Sequence, residues 1–206
     1  NNSGGSIRVE NTNERITLDS CVLSNNYVYD SGSGGHIFAG NNANIYIVDS
    51  VLRKGYAKSG SAIRRGYVVI ESSIIENHQA TSDAAFTVEA VTINNSIVRN
   101  NRGYQGGVFR DAKVYVTNSE FYGQSSGLGS ISAGGSVLME NCHIHDNNHD
   151  QGYGMFRSSS IVISGSTVED NLYGRSSALF SFTGSSKIIN SIVRNNRADW
   201  GGVIAY

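Results

Sequence analysis

Val91-Thr92-Ile93-Asn94-Asn95-Ser96-Ile97-Val98-Arg99-Asn100-Asn101 decides how this chain folds, because Ile188-Ile189-Asn190-Ser191-Ile192-Val193-Arg194-Asn195-Asn196 echoes it near the other end. Written as apolar-x-apolar-x-x-Ser/Cys-x-apolar-x-x-Asn, the template recurs with its small residue at Cys21, Ser50, Ser73, Ser96, Ser119, Cys142, Ser166 and Ser191. Successive copies lie 29, 23, 23, 23, 23, 24 and 25 residues apart, so one structural unit is repeated along the whole chain. The apolar residue two places on is kept in every copy: Leu23, Leu52, Ile75, Val98, Phe121, Ile144, Val168 and Val193. A second landmark follows, a small-small-x-apolar tetrad such as Gly34-Gly35-His36-Ile37, Gly106-Gly107-Val108-Phe109 and Gly201-Gly202-Val203-Ile204.

A leucine-rich repeat has a similar period, but it needs a further apolar anchor three residues before the template, where this chain has Asn42, Arg65, Val88, Asp111 and Gly134. It also needs a helix or 3₁₀ stretch on its outer side. Return segments such as Asn101-Arg102-Gly103-Tyr104-Gln105-Gly106-Gly107 cannot hold one, since each Gly costs about 1 kcal/mol in a helix. The 206 residues include 24 Gly and no Pro, which leaves the turns to Gly and Asn, while Ile, Val and Tyr favour strands. The expectation is a parallel β-helix, with each winding pairing its strands about 4.8 Å above and below its neighbours.

Period-2 alternation points the apolar template residues and the Ser/Cys inward, where a hydroxyl can bond the neighbouring winding. Asn26, Asn101, Asn147, Asn171 and Asn196 recur at one turn and are expected to form a structural amide ladder, with Gly55, His78 and Gln124 in the remaining copies. Cys21 and Cys142 hold equivalent places five windings apart, about 24 Å at the strand spacing, so they should be free buried thiols. Three places after each Ser/Cys, Arg53, Glu76 and Arg99 alternate in sign on the outer face, as a cross-strand ion-pair ladder would. One place after it, Val22, Val51, Ile74 and Ile97 make a partly apolar outward stripe that Glu120 and His143 interrupt.

Sixteen Lys+Arg against seventeen Asp+Glu give a net charge of −1, so no basic field exists to collect nucleic acid. No apolar run reaches the 18 or so residues of a membrane span, and Asn1-Asn2-Ser3-Gly4-Gly5 lacks the regions of a signal peptide. No cofactor is implied. His143, His145 and His149 are the nearest approach to a Zn²⁺ ligand set, yet no matching ligand is read on the adjacent windings and His145 is expected to pair with Glu169. The reading is therefore a solvated face without metal. Tyr56, Tyr104, Tyr153, Tyr173 and Trp200 fall in the loops before the tetrads, where rings along a solenoid edge could stack on sugars. No paired aspartates mark a polysaccharide hydrolase, so catalytic residues are not assigned and an enzyme of the polysaccharide lyase or hydrolase class is the second reading. Ice binding ranks third, because Thr17, Thr92, Thr117 and Thr167 share no single template position. Asn1 and Asn94 open N-glycosylation acceptor patterns.

The tetrads, as in Gly106-Gly107-Val108-Phe109, and the apolar-x-x-Asn turns, as in Val98-Arg99-Asn100-Asn101, resemble the repeats of chlamydial polymorphic membrane proteins and related bacterial surface adhesins. Their Phe-x-x-Asn turn is represented here by Phe121 with Gln124; the other windings use Val, Ile or Leu. The resemblance implies an all-β, right-handed parallel β-helix of about eight rungs, read here with three short strands per rung and as one domain over residues 1–206. It further implies display outside the cell or on its surface, and adhesion to glycans or to a host or neighbouring cell. Both ends fall at the same point of the repeat with no polar cap, which suggests either a piece of a longer solenoid or copies that associate end to end.

Overall fold

The computed structural model describes residues 4–11, 13–29, 31–149, 154–174, 178–198 and 204–205, with backbone alone for His149, Ile204 and Ala205. Every strand pairing is parallel, and each pairs a strand with its counterpart one winding away. Val91 lies between Val68 and Val114, and Val98 between Ile75 and Phe121, which is the register the repeat dictates.

A winding carries four strands where the repeat suggests three. The winding that begins at Ala90 shows them as Ala90–Asn94, Ile97–Arg99, Arg102–Gly103 and Phe109–Arg110. These generate, in order, a first, second, third and fourth wall of the shaft. The extra strand arises because the template is itself bent. The residue before each Ser/Cys takes a left-handed conformation, as at Asp49 (φ 46°), Asn95 (48°), Asn118 (49°) and Gly165 (56°), and divides the first wall from the second. A second left-handed corner follows four places after each Ser/Cys, as at Asn77 (57°), Asn100 (54°) and Asp170 (54°), and opens the third wall. Asn, Asp and Gly reach this region at least cost, which accounts for their abundance in a chain without proline.

Inside the first corner the small residues form a hydroxyl ladder that Cys142 interrupts. Ser73 N–H donates to Ser96 Oγ at 3.1 Å and Ser96 N–H to Ser119 Oγ at 3.1 Å, while Ser96 Oγ donates to Asn94 O at 2.7 Å. Each hydroxyl thus satisfies an amide of the previous winding that the bend takes out of the sheet ladder. Both cysteines are free. Cys142 is buried and its thiol is pushed up to about 11 by burial, whereas Cys21 is only half-buried. Cys142 is therefore expected to resist thiol reagents in the native protein at neutral pH and to react once the chain unfolds; Ellman titration with and without denaturant checks this.

Most of the remaining interior is apolar. Phe86 and Phe109 pack with ring centroids 5.8 Å apart, Phe156 and Phe180 stack at 5.6 Å, and all four are buried. Small residues let the fourth wall close. A Cβ on Gly107 would lie 2.1 Å from the carbonyl oxygen of Ser130 in the next winding, so this winding requires glycine where Ser61, Ser130 and Ala178 stand in others.

Candidate functional site

Five places after each Ser/Cys, the inward residues carry the amide ladder. Asn147 Oδ1 accepts from Gln124 N–H at 3.0 Å, while Asn147 Nδ2 donates to Phe121 O at 3.1 Å and to Asn171 Oδ1 at 2.9 Å. Asn101 and Asn171 repeat this pattern, and Asn196 continues it at the last winding. Gln124 substitutes one longer amide for another, accepting from Asn101 N–H and donating to Val98 O. His78 does the same with an imidazole: Nδ1 accepts from Gly55 N–H at 3.1 Å, which leaves Nε2–H to donate to Leu52 O at 3.1 Å. At Gly55 the column has no side chain. His36 fills that space from its tetrad, its Nδ1 bonded to Asn26 Nδ2 at 2.7 Å and its ring edge-on to that of His78 at 5.0 Å. Burial lowers both histidines, His36 to about 4 and His78 well below the usual range, with the proximity of His36 adding to the effect on His78. Both are neutral structural groups at neutral pH.

The outer side of the third wall carries the aromatic residues. Tyr27, Tyr56, Gln79, Arg102 and Ser125 succeed one another in one outward column. Tyr27 contacts Tyr29 and Tyr56, with ring centroids 6.3 and 6.0 Å apart. Tyr104 is 61% exposed and stands beside a groove of about 550 Å³ lined by Gln79, Thr81, Arg102, Ser125 and Ser126. Tyr173 departs from expectation: it is fully buried, and its hydroxyl bonds Ser130 Oγ at 2.8 Å. In the short strand Leu172–Tyr173 alternation turns Leu172 outward and Tyr173 into the shaft, at the place where Ala57, Ala80 and Gly103 stand in other windings. Tyr173 therefore belongs to the core and not to a surface platform. Tyr153 and Trp200 lie outside the described residues, as does Asn1. Asn94 sits in a first-wall strand, its Oδ1 accepting from Thr117 Oγ1 at 2.8 Å.

The second wall carries the densest titratable group. Glu76 and Arg99 form the expected ion pair at 2.6 Å, and Arg99 also donates to Tyr122 Oη at 2.9 Å, which with Glu76 raises the guanidinium further. The histidines pair differently from expectation. His145 reaches back to Glu120 at 2.9 Å and sideways to Asp146 at 2.7 Å, and it is His143 that meets Glu169, at 2.9 Å. Partial burial pulls His145 down, but the hydrogen bonds to Asp146 and Glu120 outweigh it and raise its pKa. Arg194, at 2.6 Å, and then His143 hold Glu169 below the ordinary carboxylate range. The structure thus joins His143 and His145 to Glu120 from the preceding winding; His149 has no described side chain. Glu120 was visible in the sequence as the first break in the apolar outward stripe, directly across from His143.

A further feature absent from the sequence reading is an arginine column on the fourth wall. Arg64, Arg110 and Arg157 each follow the tetrad's apolar residue, so they share one outward position in alternate windings. Asp83 lies between the first two, 3.9 Å from Arg64 and 3.4 Å from Arg110. Arg110, Arg157, Ser158, Ser181 and Thr183 border a groove of about 390 Å³.

Residues 60–206 match the protein-family model described as right handed beta helix region. Comparison with curated proteins and with solved structures gave no match.

Proposed function

Because the chain belongs to the right-handed β-helix family, we propose that it is a surface-displayed structural and adhesive module that holds glycans along its third wall. The observation that carries this reading is the Tyr104 groove. Three consecutive windings furnish it: Gln79 and Thr81 from one, Arg102 and Tyr104 from the next, and Ser125 from the third, where Ser126 turns its hydroxyl into the shaft. An exposed ring beside amide, guanidinium and hydroxyl groups is the combination that sugars need, one apolar face to stack on and several directional partners for hydroxyls. Further along the same column Tyr56 and Tyr27 continue the surface, so a polymer running parallel to the shaft axis meets a new donor or acceptor about every 4.8 Å. Interior polar groups contribute nothing to this face, since the serine and asparagine ladders are bonded to backbone. The likeness of the tetrads and turns to adhesin repeats supports display outside the cell.

Tyr104→Ala is expected to weaken glycan binding at least tenfold, with Arg102→Ala adding a loss for acidic sugars, while thermal stability stays unchanged because both side chains are exposed. A glycan array followed by titration of the best hit reads this. Binding that survives Tyr104→Ala unaltered removes the groove from the reading. Release of new chain ends from polygalacturonate or alginate replaces it with the polysaccharide-active enzyme.

A further inference from the structure

We propose that Glu120, His143 and His145 form a binding site for a divalent transition-metal cation of the Zn²⁺ class on the outer face of the second wall. His143 and His145 are two residues apart on one strand, so both rings leave the sheet on the same side; they stack with centroids 4.1 Å apart. Glu120 lies in the adjacent strand in register with His143. One ligand atom from each residue lies within 4.8 Å of the others. Glu120 Oε1 is 2.9 Å from His145 Nε2 and 3.8 Å from His143 Nδ1. Ligand atoms of a tetrahedral zinc, at bond lengths of about 2.0–2.1 Å, stand about 3.3 Å apart, a value these two separations bracket.

The second observation is what stands behind each ring. His143 turns Nδ1 toward Glu120 and bonds Glu169 through Nε2 at 2.9 Å. His145 turns Nε2 toward Glu120 and bonds Asp146 through Nδ1 at 2.7 Å. Each imidazole therefore has one nitrogen aimed at the common point and the other backed by a carboxylate, the arrangement that fixes the tautomer and ring orientation of a metal-bound histidine. Glu169 is itself anchored by Arg194 at 2.6 Å. An ordinary solvated ion pair requires no such matched backing on both rings.

The donor set decides the class of metal. Two imidazole nitrogens and one carboxylate suit Zn²⁺, Co²⁺, Ni²⁺ or Cu²⁺, whereas Ca²⁺ and Mg²⁺ require mostly oxygen ligands. With the side chains of His143 and Glu120 43% and 38% exposed, the outward coordination position is open to water or to a donor from a bound molecule.

The test is calorimetric titration of Zn²⁺ into the tag-free chain after treatment with chelator, repeated in excess Ca²⁺, together with Co²⁺ spectroscopy. The expected result is one equivalent of Zn²⁺ bound in the presence of Ca²⁺, with Co²⁺ giving d–d bands of a low-symmetry centre. His143→Ala and Glu120→Gln should each weaken binding more than tenfold. Glu169→Gln, which removes a positioning residue and no ligand, should weaken it about tenfold and shift the Co²⁺ bands. Circular dichroism should show all three variants folded, and Glu120→Gln, nearly isosteric, carries the test if His143→Ala does not fold. Absence of saturable binding, displacement by Ca²⁺, or affinity unchanged in Glu120→Gln overturns the proposal.

Discussion

Replacing Asn147 with leucine is expected to destabilise the protein by about 2 kcal/mol, because the buried Gln124 N–H loses its partner where no water can reach it, and the carbonyl of Phe121 keeps only the donor it has in the strand ladder. Asn147 is fully buried, and its amide satisfies both Gln124 N–H and the carbonyl of Phe121. Leucine fills a similar volume, so the loss reports an unsatisfied polar group rather than a cavity. At about 1–3 kcal/mol for the orphaned donor, the midpoint of thermal unfolding should fall by about 6 °C for a chain of this size. Asn147→Gln is the control. The column already holds a glutamine at Gln124, whose longer amide reaches the same two kinds of backbone partner, so this variant should retain most of the stability. Because each winding touches only its neighbours, hydrogen exchange in Asn147→Leu should accelerate first around Gln124 and Phe121. Equal losses in the leucine and glutamine variants would show that the amide bonds are not what holds this corner.

Acidification supplies the second large effect. His36 and His78 are buried and neutral, and both have folded pKa values below the unfolded value near 6.5. Below pH 6.5 the unfolded chain takes up protons that the folded chain refuses, so stability present at neutral pH is lost as pH falls toward the folded values. For His36, displaced to about 4, the loss between pH 7 and pH 4 amounts to about 3 kcal/mol, and His78 adds to it. Protonation of His78 also destroys the acceptor that Gly55 N–H uses. Urea denaturation at a series of pH values measures this. His78→Asn, which restores the residue type found at Asn101, should flatten the dependence while keeping the neutral-pH stability. A curve as steep in His78→Asn as in the native sequence would show that His78 adds nothing to the loss set by His36.

The winding register was legible because period-2 alternation and a 23-residue repeat act on the same residues, and Ser73, Ser96 and Ser119 stack as that pattern requires. Strand number was not, since alternation records which side a residue faces and not the sign of φ. The left-handed corner at Asn95, within an otherwise extended template, divides one expected strand into two. Tyr173 was misplaced for a related reason: the inward position after the Asn turn usually holds Ala or Gly, so nothing marked it as interior until one winding put a large ring there. The Glu120–His143–His145 group escaped although the register already set Glu120 beside His143: alternation gives the column of a side chain but not where its long carboxylate reaches, so His145 was paired with Glu169 and Glu120 was read only as a break in the apolar stripe.

Spin-label pairs along the outer face of the first wall test that register most directly. Thr17, Tyr46, Thr92, Tyr115, Leu138 and Val162 occupy the same outward position in their windings. Labels are placed at Thr17 and at one of Tyr115, Leu138 or Val162, in a background where Cys21 and Cys142 are serine, as six other windings already are. Pulsed dipolar spectroscopy should give distances rising in equal steps of about 4.8 Å, near 19, 24 and 29 Å for the three pairs. Distances that fail to rise in equal steps with winding number would contradict the in-register solenoid on which every assignment above depends.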